Sequence, residues 1–239
     1  MKRYFSPNGK KVIFFDLNGT IIDLQASLES SFKETLEEFT GRWYSEGSGW
    51  DPDKILLKYR KLRKTMAQQR HQSSILKETF RGTPIPVNDE FLRSFSRRWK
   101  ELKAEIVEPY PDVKNTLEKL ASRYTLAIIS NGNRARRTAQ LRRLGIRNII
   151  PDDRLFTPVN GWKKPDPGMF KYALEQLNIP ASQAVMVGDS WKNDVFGATR
   201  AGMDAVWIRR LGKTSSTMRK VGREKVIMLR SCRQLTEIF

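Results

Sequence analysis

Four short runs of consecutive apolar residues constrain the fold of this chain more than any other feature. Each run is four residues long, is flanked by polar residues, and is separated from the next by stretches with helical periodicity. Strands buried on both faces need such runs, and parallel strands need helices to connect them. The alternation predicts an α/β fold with a doubly wound (Rossmann-like) parallel sheet, whose strands we place at Val12–Phe15, Leu126–Ile129, Ala184–Val187 and Ala205–Ile208, with a weaker one at Val226–Leu229.

The connection after the first strand is far longer than a single crossover helix. Apolar residues recur every fourth position from Leu24, Asp51 followed by proline is typical of a helix start, and Asn88 precedes a further helical pattern. Residues 24–108 are therefore predicted to form an all-helical cap domain inserted into a core domain of residues 1–23 and 109–239. The helices of the core are predicted at Val113–Ser122, Arg134–Leu144, Gly168–Leu177 and Asn193–Ala201.

The charge of the chain is strongly positive and unevenly distributed. The formal net charge is +18, and residues 109–239 carry 24 Lys and Arg against 11 Asp and Glu. Clustered cations can bind a nucleic-acid backbone, but no recognition motif and no interleaved aromatic residues accompany them here. We therefore interpret the charge as a solvated surface that attracts anionic substrates, and we do not expect nucleic acid as a partner.

Cysteine content and hydropathy bear on where the protein resides. A single cysteine, Cys232, excludes an internal disulfide and fits a reducing compartment. The apolar runs are too short to cross a membrane, and Asp16 interrupts the first one too early for a signal peptide. These features predict a cytoplasmic protein, a monomer or homodimer, with no membrane partner. His71 is the only histidine, and nothing near it in the sequence supports a serine–histidine–aspartate triad.

Polar residues suited to phosphoryl transfer follow the first three apolar runs. The carboxyl ends of strands in an open parallel sheet meet at one crevice, where ligands bind. A carboxylate can attack phosphorus, a lysine can neutralise charge, and hydroxyl and backbone N–H groups can hold phosphate oxygens. Carboxylates are also the hard ligands that Mg²⁺ prefers. The candidates are Asp16 and Asn18 after the first run, Ser130, Asn131 and Gly132 after the second, Lys164 in the following loop, and Asp189 and Asp194 after the third.

Four motifs resemble, in order and spacing, those of the haloacid dehalogenase-like (HAD) hydrolase superfamily: Asp16–Thr20, Ile128–Gly132, Lys164–Pro167 and Val187–Asp194. The resemblance extends from Val12 to about Arg210, and one subgroup carries a helical cap after the first strand. It implies that Asp16 is the nucleophile, that Lys164 stabilises charge, and that the cap selects a small phosphorylated metabolite. It also implies a phosphate site formed by Ser130, Asn131 and Gly132, and a Mg²⁺ site formed by Asp16, Asn18, Asp189 and Asp194.

Asn18 departs from the pattern of the phosphatases that this chain resembles, which carry Asp at that position. That carboxyl protonates the leaving oxygen and then activates water, and an amide can do neither, although its backbone carbonyl can still bind Mg²⁺. Losing general acid–base catalysis costs about 10²- to 10⁴-fold in rate.

Three interpretations of Asn18 stay open. The chain is a slow or specialised Mg²⁺-dependent phosphatase that hydrolyses a small phosphate monoester through an aspartyl-phosphate, a catalytically retired protein that binds a phosphorylated ligand, or a 2-haloacid dehalogenase-like enzyme. We favour the phosphatase, because dehalogenases of this superfamily usually place an aromatic residue at this position and do not need Mg²⁺.

Overall fold

The computed structural model describes residues 9–40, 51–66, 72–83, 85, 87–211 and 217–239. His71 lies outside the described residues. The chain divides into two compact units, one formed by Met1–Asp23 with Pro109–Phe239 and the other by Leu24–Glu108.

The smaller unit is helical in its described residues. Side chains that precede two of its helices satisfy backbone donors that a helix start leaves unpaired: Asp51 accepts from the N–H groups of Asp53 and Lys54, and Asn88 accepts from that of Phe91. The helices of this unit are α1 (Leu24–Thr40), α2 (Pro52–Thr65), α3 (Gln72–Phe80) and α4 (Asp89–Glu105). Helices α1, α2 and α4 lie where the apolar spacing and the start signals indicated, whereas α3 was not predicted.

Aromatic side chains around Phe32 form the core of this helical unit. The Phe32 ring stacks on Tyr59 with ring centroids 4.8 Å apart, and it meets Trp99 edge-on at 5.1 Å. Trp99 is fully buried and donates its indole N–H to Ser31 Oγ at 3.1 Å, so its burial leaves no unpaired donor. The unit therefore has a hydrophobic core of its own.

A sheet of seven strands forms the centre of the larger unit, counted over the part of the chain that the structure describes. The strands are β1 (Val12–Phe15), β2 (Thr125–Ile129), β3 (Leu155–Phe156), β4 (Ala184–Gly188), β5 (Asp204–Ile208), β6 (Thr217–Val221) and β7 (Glu224–Leu229). They lie in the order β3-β2-β1-β4-β5-β7-β6, and every neighbouring pair is parallel except β6 with β7. The predicted doubly wound, mostly parallel sheet is confirmed.

Two strands carry little signal in the sequence. Strand β3 is only two residues long, too short for any pattern to stand out. Strand β6 has the sequence Thr-Met-Arg-Lys-Val and is largely exposed. An edge strand needs only one partner and tolerates charged side chains, so it does not require an apolar run.

The larger unit contains the helices α5 (Val113–Ala121), α6 (Arg134–Arg143), α7 (Pro167–Gln176), α8 (Gly197–Arg200) and, after the last strand, α9 (Leu235–Ile238). Helices α5, α6 and α7 match the predicted ranges to within one residue at each end. The helix predicted over Asn193–Ala201 begins two residues earlier than expected, as a wide π-helical turn over Trp191–Phe196 that continues into α8. Ser190 fixes the start of that turn, since its side chain accepts a hydrogen bond from the Asn193 N–H.

None of the helices among the described residues has both the length and the apolar character that crossing a lipid bilayer requires.

Cys232 is buried, and burial raises the pKa of its thiol to about 12. At pH 8 the folded protein therefore holds the protonated thiol, whereas an unfolded cysteine with a pKa of about 8.5 is partly ionised. Because only the thiolate attacks a disulfide reagent, we expect Cys232 to be nearly inert in the native protein and to react promptly in urea. The rate of reaction with a chromogenic disulfide reagent, followed by absorbance in buffer and in urea, measures this difference. Labelling of the native protein as fast as that of the unfolded chain would contradict the prediction.

Candidate active site

Asp16 is the first polar residue at the carboxyl end of β1, between β2 and β4. The strand before it is fully buried, and Asp16 itself is 8% exposed. Its backbone N–H donates to the carbonyl of Val187 at 2.8 Å, which ties this position to the end of β4. The sheet thus holds the carboxylate at the edge where ligands bind in open α/β folds.

Lys164 joins Asp16 to Asp194. Its Nζ lies 2.5 Å from Asp16 Oδ1 and 2.7 Å from Asp194 Oδ1. Burial opposes the charge on Lys164, but the two carboxylates outweigh burial and raise the pKa of the ammonium group. Burial raises the pKa of Asp194 as well, against the attraction of the lysine. Lys164 is therefore a fixed cation in contact with the predicted nucleophile.

Asn131 holds the loop that carries Lys164. Its Nδ2 donates to the Lys164 carbonyl at 2.8 Å, and its Oδ1 accepts from the Lys164 N–H at 2.7 Å. The Asn131 side chain thus positions the lysine, and the Asn131 backbone N–H remains the group suited to an anion, as the sequence predicts. Ser130, buried at the end of β2, anchors the same turn through its N–H to the carbonyl of Phe156 at 3.0 Å.

Asp16, Asp189 and Asp194 form an acidic cluster in which one oxygen of each lies within 4.8 Å of the others. Burial and the charge of Asp16 raise the pKa of Asp189, so this cluster favours a bound cation. Gly19 has a φ of +86° and approaches Asp189 so closely that a Cβ there would overlap the carboxylate.

The donor set suits a hard divalent cation such as Mg²⁺. Asp16 and Asp189 are the carboxylates available to it, and Asn18 can add its backbone carbonyl. Both oxygens of Asp194 already accept hydrogen bonds, from Lys164 and from the Ser190 N–H, so Asp194 fits a supporting position.

Arg137 enters the site from α6 and is not among the residues predicted from the sequence. The residue is 9% exposed, and its Nη1 lies 3.3 Å from Asn18 Oδ1. A guanidinium has only donors, so the Asn18 amide is best oriented with its oxygen toward Arg137. In that orientation both terminal nitrogens of Arg137 lie 3.2 Å from the amide oxygen. Burial lowers the pKa of Arg137, while the charge of Asp16 opposes this. A signal does exist, since Arg137 precedes the buried Leu141 and Leu144 by four and seven residues.

Comparison with known proteins identifies the family. Residues 13–208 match the family described as haloacid dehalogenase-like hydrolase. The chain belongs to this family.

Both phosphatases and a dehalogenase are among the similar HAD proteins. A glyceraldehyde 3-phosphate phosphatase of Pyrococcus abyssi is 28% identical over 202 residues, covering 83% of this chain and 81% of the relative. A 2-haloacid dehalogenase of Pseudomonas syringae pv. Tomato DC3000 has a TM-score of 0.56 at 25% identity, covering 96% of this chain and 97% of its own. A HAD phosphatase of Thermococcus onnurineus has a TM-score of 0.55 at 25% identity with the same coverage, 96% and 97%. Family membership makes the chain a hydrolase, and the site residues must distinguish between the reactions.

We expect Lys164→Met to destabilise the protein by about 3–5 kcal/mol, because it leaves two carboxylates without their buried cation. The exposed neighbour Lys163 provides the matched control, and Lys163→Met should change stability by less than about 0.5 kcal/mol. Adding Asp194→Asn to Lys164→Met should recover part of the loss.

Urea unfolding in the presence of a chelator measures these differences as shifts in midpoint at constant m. Equal midpoints for Lys164→Met and Lys163→Met would contradict the structural importance of the ion pairs.

Proposed function

We propose that this HAD hydrolase is a Mg²⁺-dependent phosphatase that acts on a small phosphate monoester through an aspartyl-phosphate at Asp16. The observation that carries the proposal is the contact of Lys164 Nζ with Asp16 at the end of β1, beside the acidic cluster. The relatives named glyceraldehyde 3-phosphate phosphatase support the same class of reaction.

The nucleophile is prepared by its ion pair. Lys164 binds Oδ1 of Asp16, which orients the carboxylate and leaves Oδ2 to attack phosphorus. The ammonium group offsets charge on the transferring phosphoryl group, and Asp194 holds the ammonium in place from the other side. The bond from Asp16 to phosphorus forms as the bond from phosphorus to the leaving oxygen breaks.

The transferring group is held by the turn after β2. The Ser130 hydroxyl and the backbone N–H groups of Asn131 and Gly132 bind phosphate oxygens, with the Asn131 side chain keeping this turn attached to the lysine loop. Mg²⁺ at Asp16, Asp189 and the Asn18 carbonyl, with Asp194 behind them, would offset the repulsion between the anionic nucleophile and the anionic ester.

A second function, the binding of a phosphorylated ligand without turnover, is favoured by one observation. Asn18 cannot act as a general acid or base, and the side chain that contacts it is an arginine, which cannot do so near neutral pH. A dehalogenase-like activity has less support, because the acidic cluster beside Asp16 suits a reaction that needs a divalent cation. Measured turnover distinguishes these functions.

We expect hydrolysis of 4-nitrophenyl phosphate to require Mg²⁺ and to be abolished in Asp16→Asn, because the amide cannot form the covalent intermediate. Asp153→Asn, which removes an exposed carboxylate elsewhere in the core unit, should keep the full rate. Release of 4-nitrophenolate with and without a chelator measures both effects. Undiminished turnover in Asp16→Asn would overturn the mechanism, and no turnover with tight binding of phosphate would favour the ligand-binding function.

We also expect the phosphorylated enzyme to accumulate during turnover, because Asn18 cannot activate the water that hydrolyses the intermediate. Acid quenching followed by intact-mass measurement should show a large fraction of chains with one added phosphoryl group. The group should be removed by hydroxylamine, as an acyl phosphate is, and should be absent in Asp16→Asn. Turnover without any detectable phosphoenzyme would show that another group performs the second step.

A further inference from the structure

Arg137 is a buried cation whose charge no carboxylate of the described residues neutralises by a salt bridge. Its Nη1 donates to Gln140 Oε1 at 2.7 Å, and its terminal nitrogens face the uncharged amide of Asn18. Its Nε is buried and makes no hydrogen bond. Asp16 attracts this guanidinium without contacting it, so the cost of its burial is only partly offset. The unpaired Nε and the lack of a contacting carboxylate point to an anionic ligand.

The guanidinium lies where a substrate of the proposed reaction would bind. It reaches from α6 to the Asn18 amide, two residues after the nucleophile. It also lies so close to Gly132 that a Cβ on this glycine would overlap it. Arg137 therefore lies between the loop after β1 and the turn after β2.

Neither side chain on this side of the site can exchange a proton at neutral pH. The Asn18 amide has no acidic group, and a guanidinium stays ionised in proteins. Arg137 can instead offset negative charge, as a fixed donor does at a developing oxyanion. A leaving group that departs here must therefore be stable as an anion.

We propose that Arg137 is a substrate-binding residue of this site and that, with Asn18, it selects acyl phosphates, whose leaving group departs as a carboxylate. This inference rests on the proposed phosphatase function and names its substrate class.

The reaction balances without a proton donor. Asp16 forms a bond to phosphorus, the bond between phosphorus and the acyl oxygen breaks, and the electron pair leaves on the carboxylate that Arg137 faces. Water then attacks phosphorus of the aspartyl-phosphate, and the bond from phosphorus to the Asp16 oxygen breaks, which regenerates the carboxylate. Both protons of the water remain on the product, which leaves as dihydrogen phosphate.

The test is the dependence of kcat/KM on the leaving group in the presence of Mg²⁺. Acetyl phosphate, 4-nitrophenyl phosphate, phenyl phosphate and glycerol 3-phosphate form a series of decreasing leaving-group acidity. We expect the unmodified chain to turn over acetyl phosphate best and glycerol 3-phosphate slowest, with a steep fall between them. If kcat/KM of the unmodified chain does not vary with the acidity of the leaving group, the proposal is overturned before any variant is made.

Variants separate a binding role of Arg137 from a structural one. We expect Arg137→Gln to lower kcat/KM for acetyl phosphate on the order of 10²-fold and to steepen the dependence, because poorer leaving groups develop more charge. Arg137→Lys, which keeps a cation but not the fork of donors, should give an intermediate slope. Arg136→Gln removes the same charge from the exposed neighbour on α6 and should leave rate and slope unchanged.

The outcomes distinguish the two proposals. If Arg137→Gln and Arg137→Lys lower the rates of all substrates by one common factor, the arginine is structural and the inference fails, while the phosphatase function stands. If the unmodified chain hydrolyses none of the substrates, the phosphatase function and the inference fail together.

Discussion

The ion pairs of Lys164 with Asp16 and Asp194 are the interaction on which the site depends. They connect the end of β1, the loop before α7 and the turn after β4, three segments that are distant in the sequence. All three side chains are buried, so water screens their attraction only weakly. Removing any one of the charges would leave another buried charge unpaired and would destabilise the fold. Hydrogen bonds between side chains and backbone then fix the two loops, from the Lys164 N–H to Asn131 and from the Ser190 N–H to Asp194. The position of Asp16 therefore depends on several segments at this edge of the sheet.

A second cation, beside Asn18, sets this site apart from a simple carboxylate cluster. The side chain next to that amide is the Arg137 guanidinium, which can offset negative charge but cannot donate a proton near neutral pH. Under the proposed function, the pair provides electrostatic stabilisation where a carboxyl group would provide proton transfer. The proposed nucleophile, the lysine and the acidic cluster are the same in either case.

The sequence predicts the sheet, and it identifies most of the residues that the structure brings together at the candidate site, because both depend on local patterns. An apolar run followed by Asp16, or by Gly188 and Asp189, marks a buried strand and the functional residue at its end without knowledge of the partners. Arg137 escapes prediction for the opposite reason. It lies among other arginines on α6, and although its spacing to Leu141 and Leu144 indicates the buried face of the helix, that spacing does not predict the contact with Asn18. The double hydrogen bond from Asn131 to the backbone of Lys164 is equally invisible in the sequence, since 33 residues separate the two.

The close approach of Gly132 to Arg137 couples two positions of the site. A Cβ at position 132 would overlap the guanidinium, so a side chain there would make the end of Arg137 shift from its place beside Asn18. The residue at position 132 therefore affects where this cation lies, through its volume alone. Substitutions at positions 132 and 137 are expected to be non-additive for that reason.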